Sequence, residues 1–156
     1  MSLCIAAAGA ALAAGCGGDS YTLSTVGWTV YPDPFMDATK PNPAQDITGK
    51  GEARVEADKT VFTIEVEHLP PNTTFGAHLH LLPCDDNKAG GHYQHDKAPE
   101  GKANDPMYAN STNEVWLDFT TDASGKGKVE TTFGWPIPKG GASSIVVHEK
   151  ATAPGG

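Results

Sequence analysis

From Tyr21 onward, apolar and polar residues alternate in short runs that end in glycine, proline, asparagine or aspartate. A period of two is the signature of a strand with one face buried. Residues 21–31 fit a first strand, with Tyr21, Leu23, Val30 and Tyr31 apolar and threonines between. Four prolines in residues 32–43 predict a loop or an arm over a sheet edge, because proline cannot donate to a ladder. Residues 47–57 put Ile47, Gly49, Gly51, Ala53, Val55 and Ala57 on one face, and Asp58-Lys59 makes a two-residue turn. Residues 61–66 answer with Val61, Thr63 and Glu65 on one side and Phe62, Ile64 and Val66 on the other, completing a hairpin.

Pro70-Pro71-Asn72 then turns the chain into Phe75-Gly76-Ala77-His78-Leu79-His80. Residues 114–121 predict another strand, with Val115, Leu117 and Phe119 on one face and Trp116 and Asp118 on the other. After a turn at 122–127, residues 128–135 return as its partner, and a Pro- and Gly-rich loop leads to the apolar strand around His148. No amphipathic helix of useful length follows residue 16. The expectation is all-β, with about seven strands in a Greek-key sandwich or barrel. Residues 83–112 are long and irregular, which in a compact domain points to function or to some other restraint.

Composition narrows the picture. The 156 residues allow one domain with a sizeable core. A net charge of −8 makes nucleic acid a poor partner. Residues 1–16 read as an export signal, an apolar run too short to span a bilayer comfortably and ending in small residues. Leu12-Ala13-Ala14-Gly15-Cys16 has the form of a bacterial lipobox, with Cys16 as the lipidation site. A plain secretory signal with Cys16 as a bystander is the alternative, and no Lys or Arg precedes the apolar run. Residues 17–20 then read as a tether and 21–156 as the β domain, facing the periplasm or cell surface of a bacterial envelope.

The histidines carry the candidate chemistry. A single histidine on a strand is most often a hydrogen-bonded core residue. His78 and His80, however, are two apart and share a strand face, so one ion can reach both. His92 follows a Gly-Gly turn, and His148 sits on a separate apolar strand. Four imidazoles suit copper in either oxidation state.

The phrases Gly76-Ala77-His78-Leu79-His80, Cys84, Gly90-Gly91-His92-Tyr93 and, most specifically, Val146-Val147-His148-Glu149-Lys150 resemble the copper/zinc superoxide dismutase family over residues 45–152. The resemblance implies an immunoglobulin-like Greek-key fold and a copper-dependent, antioxidant disproportionation of superoxide to oxygen and peroxide. It implies that His78, His80, His92 and His148 are copper ligands, with His92 catalytic. In the family the long loop also carries zinc. Here the loop offers only His95, Asp96 and Asp105, at the wrong spacing, so a copper-only centre is expected. His95 reads as a solvated surface residue.

The family also continues beyond the point reached at Gly156, with a guiding arginine and a closing strand whose cysteine pairs with the one at Cys84. The only arginine here is Arg54, in an early strand, so this sequence reads as truncated, with Cys84 pairing to a cysteine past its end. Superoxide is an anion and gains nothing from the net charge. A copper store or carrier on the same scaffold is the alternative function.

Overall fold

A computed structural model describes residues 2–11, 20–31, 47–84 and 89–155. The eight strands are β1 (Ser2–Ala11), β2 (Tyr21–Tyr31), β3 (Thr48–Val55), β4 (Thr60–Glu67), β5 (Thr74–His80), β6 (Phe119–Thr120), β7 (Gly127–Phe133) and β8 (Ser144–His148). No helix occurs among the described residues. Every pairing is antiparallel. Seven strands run in the order β5-β8-β1-β2-β3-β4-β7, and β6 pairs with the other edge of β5 as a short second sheet. The arrangement is all-β and consistent with a β-sandwich.

The alternation that predicted the central hairpin survives in the fold. Along β4, Thr60, Phe62, Ile64 and Val66 are buried while the residues between them are only partly so. In β3, Gly51, Ala53 and Val55 face the same core, and Ala57 lies beyond the strand in the turn, exposed. The main core joins Ala53, Phe62, Ile64 and Val66 to Leu69, Phe75, Ala77, Leu79, Val115, Leu117, Phe119, Phe133, Ile137, Ile145 and Val147. Leu117 and Ile64 are fully buried, so the polar alternation partners are what each segment turns outward or toward the site. The turn 121–126 ties β6 to β7, Asp122 N–H donating to the Lys126 carbonyl at 2.8 Å. A Cβ at Gly127 would overlap the Phe119 ring, so glycine is what lets the two segments close there.

Three readings of the sequence meet a different outcome. Residues 2–11, within the stretch assigned to an export leader, form β1 between β2 and β8, which brings the strands among the described residues to eight where about seven were expected. The lipobox Cys16, most of the tether at 17–20 and the Pro-rich arm at 32–43 lie outside the described residues. The strand expected at 114–121 is regular only at Phe119–Thr120. Glu114 and Trp116 make isolated bridges to Gln94 and His78, and the segment follows the edge of β5, where the Leu117 N–H donates to the Ala77 carbonyl at 2.7 Å. Cys84 is disulfide-bonded within this chain, which corrects its expected pairing with a cysteine past Gly156.

Candidate metal centre

β5 is buried on both faces. Phe75, Ala77 and Leu79 enter the hydrophobic core, and the alternate positions Gly76, His78 and His80 are covered from the other side. Antiparallel pairing with β8 sets His78 opposite Val146 and brings Gly76 level with His148. On the far edge of β5, His80 bridges to His92 and His78 to Trp116, and the Tyr93 N–H donates to the Leu79 carbonyl at 2.8 Å. Two neighbours of one strand thus deliver the third and fourth imidazoles.

One ligand nitrogen from each of His78, His80, His92 and His148 lies within 4.8 Å of the others. The His78 and His92 rings stack at 4.1 Å between centroids. His78 Nδ1, His80 Nε2 and His148 Nε2 are buried and have no hydrogen-bond partner. An unpaired buried polar atom is costly, of order 1–3 kcal/mol each. Three such atoms aimed into one cluster fit a bound cation that takes their lone pairs. Imidazole donors suit copper, zinc, nickel and iron, so the cluster defines a metal site and leaves the metal open.

The outer nitrogens set the ring orientations. His80 Nδ1 lies 2.9 Å from the Gly90 carbonyl, which only accepts, so Nδ1 carries the proton and Nε2 the lone pair. His92 Nδ1 lies 2.8 Å from Glu114 Oε2, with the same consequence. Glu114 is only 2% exposed. Its carboxylate also accepts Trp116 Nε1–H at 2.9 Å and Gln94 Nε2–H at 2.9 Å. Burial alone would raise its carboxyl, but the hydrogen bonds from His92, Trp116 and Gln94 prevail and hold it below the usual range. Burial, reinforced by neighbouring imidazoles, pushes His78 down to about 3. Burial likewise takes His80 to about 4, against the opposing Gly90 hydrogen bond, and lowers His148. These rings are neutral at pH 7, as ligands must be.

The cluster forms the floor of a cleft of about 930 Å³, whose walls include Leu81, Gln94, Lys97, Asn104 and Lys150. His78 and His80 are buried, whereas His148 and His92, the latter with 22% of its side chain exposed, are half-buried.

The structure brings together all four histidines expected as ligands and leaves the other candidates apart. His95 is exposed and lies flat on Trp135, centroids 4.7 Å apart at 11°. Asp96 is exposed, and its backbone N–H is held by the Asn113 side chain. Asp105 accepts the Met107 N–H and faces Lys102 at 3.6 Å. None of the three belongs to the four-histidine group, the only cluster of three or more potential ligands among the described residues. Glu114, Gln94 and Trp116 were not anticipated. The signal was there, since the alternation that sends Val115 and Leu117 to the core sends Glu114, Trp116 and Asp118 to the opposite face. No protein-family model and no curated protein sequence matches this chain.

Proposed function

We propose that this protein is a copper-dependent superoxide dismutase of the cell envelope, built on a Greek-key fold of the copper/zinc dismutase type. The observation that carries the reading is the convergence of four imidazoles, three with orphaned buried nitrogens, at the floor of an open cleft. Imidazole serves both copper oxidation states, so a four-histidine set keeps the ion through a one-electron cycle. Copper held there supplies that cycle, in which one superoxide is oxidised to dioxygen and a second, with two protons, is reduced to peroxide.

The chain's own residues bind, orient and supply charge. Glu114 holds the proton on His92 Nδ1, which fixes that ring and directs Nε2 into the cluster. His92, a half-buried ring lining the cleft, is placed to exchange a proton with solvent there. Glu114 takes the orienting place that a second metal would otherwise occupy, which supports a copper-only centre; zinc at His95, Asp96 or Asp105 has no such geometry behind it. Lys97 and Lys150 line the cleft and offer local positive charge to an anion despite the net charge of −8.

Superoxide consumption by the copper-loaded protein, followed by stopped flow, tests the reading. Turnover in the parent that disappears in His148→Ala supports dismutation. Stoichiometric copper with no turnover in the parent replaces it with the copper carrier.

A further inference from the structure

The outer nitrogen of His78 is held differently from those of its neighbours. His80 and His92 face a carbonyl and a carboxylate, which can only accept. His78 Nε2 faces a hydroxyl, Thr152 Oγ1, at 2.6 Å, and a hydroxyl can donate or accept. The direction is decided one bond further on. Thr152 O–H donates to Asp118 Oδ1, and the Thr152 backbone N–H donates to Asp118 Oδ2 at 2.7 Å. The Ala77 N–H donates to the same carboxylate at 3.2 Å. With its one proton committed to Asp118, the Thr152 hydroxyl has only lone pairs left for His78. Nε2 therefore carries the ring proton. The lone pair falls on Nδ1, the buried nitrogen that points into the cluster without any other partner.

We infer that Asp118 and Thr152 are positioning residues of the metal centre: their relay fixes the ring and the tautomer of His78, and so keeps Nδ1 as its donor atom. The inference rests on the metal-binding part of the proposed function and extends it to residues that touch neither metal nor substrate. Gly76 is the condition for the relay. Its N–H donates to the Lys150 carbonyl at 2.9 Å, which lays residues 150–152 directly against β5. A Cβ at Gly76 would come within 2.5 Å of that carbonyl oxygen and 2.9 Å of Thr152 Oγ1. Any side chain there would lift Thr152 off His78. The strand position two residues before the first histidine is thus part of the centre's support.

The experiment begins with the metal-free wild-type protein and reads the His78 tautomer from long-range ¹H–¹⁵N couplings. The expected result is a proton on Nε2 and none on Nδ1; a proton on Nδ1 overturns the inference without any variant. Thr152→Val then removes both hydroxyl hydrogen bonds at nearly constant shape, and Thr152→Ser restores them. The valine variant should show a mixture of tautomers. Its copper(II) affinity, by chelator competition, should fall roughly 10–100-fold, as is usual for loss of an outer partner. Its copper(II) electron paramagnetic resonance spectrum should change, and the serine variant should recover the wild-type values. A folded valine variant with the wild-type tautomer and copper affinity, or a serine variant that rescues neither, overturns the relay. A wild-type protein with the inferred tautomer that binds no copper overturns the metal reading instead and leaves the tautomer relay standing.

Discussion

The β3–β4–β7 side of the molecule and the β5–β8 side use the same antiparallel pairing for different ends. On β4, one face is apolar core and the other is a ladder of exposed charges, in which Lys50 and Lys128 each sit 2.7 Å from a Glu65 carboxylate oxygen. On β5, solvent is excluded from both faces, and the second is covered by residues 90–92, 114–118 and 150–152. Among the described residues, the first arrangement leaves no buried side-chain nitrogen or oxygen without a partner. The second leaves ring nitrogens without partners in a buried cluster, a state that a cation relieves. Regular alternation thus builds the scaffold, and the departure from it marks the site.

That contrast can be broken most strongly at the ligands. His80→Ala or His148→Ala should abolish superoxide turnover and weaken copper retention by more than the roughly 10–100-fold expected for an outer partner. The fold should survive, since removing a ring relieves an orphaned nitrogen. Metal content after dialysis and thermal unfolding check both halves. On the scaffold side the pattern should invert. Phe62→Ala, in a fully buried position against Phe133, should cost about 3–5 kcal/mol of stability. The copper spectrum of its folded fraction should be unchanged, and urea unfolding with the same spectroscopy reads the two effects separately.

Glu114→Leu should fall between these. It removes the acceptor of His92, Trp116 and Gln94, all half-buried, and Gln94 keeps its bond to the Ala103 carbonyl, so a loss of about 1–3 kcal/mol in all is expected, together with weaker copper binding. Glu114→Gln should retain more of both. A Leu variant as stable and as tightly copper-binding as the parent would remove Glu114 from the account.

Acid separates the two sides by pH window. In the metal-free protein, His78 and His80 are held neutral well below their ordinary value of 6.5, at about 3 and 4. The unfolded chain therefore binds more protons as pH drops below 6.5, and stability present above that value is lost progressively toward 3. Glu65, held down to about 2 by hydrogen bonds from Lys128 and Lys50, keeps its full contribution above its ordinary 4.5 and loses it only as pH falls below that value. The urea midpoint of the metal-free protein should already fall between pH 6.5 and 4.5, and a flat midpoint there would contradict the buried, neutral histidines. The smallest effects belong to His95→Ala and His68→Ala, both exposed, which should leave turnover and copper content unchanged.

The hairpin and the ligands were legible because each follows from a local rule. Phe62, Ile64 and Val66 show their buried face by spacing alone, and His78 and His80 show theirs by the same period. His92 and His148 could be grouped with them as candidates by residue type, but their convergence rested on the resemblance, since nothing local says that β8 pairs with β5. The support around the site was least legible. Glu114 reads as one more polar residue of an alternating strand until the fold sets its carboxylate against His92. Thr152 lies beyond the last strand, where no periodicity speaks. The pairing of residues 2–11 with β2 and β8 was hidden by an Ala- and Gly-rich composition that fits an export signal as readily as a strand.

The central claim is that four imidazoles of this chain hold one copper ion. Titration of the metal-free protein with copper(II), followed by electron paramagnetic resonance at natural abundance and with ¹⁵N-histidine, tests it most directly. The account predicts saturation at one copper per chain, with nitrogen hyperfine structure that changes on labelling and is altered in His148→Ala. Copper bound without histidine hyperfine structure, or a spectrum unaltered in His148→Ala, would contradict it.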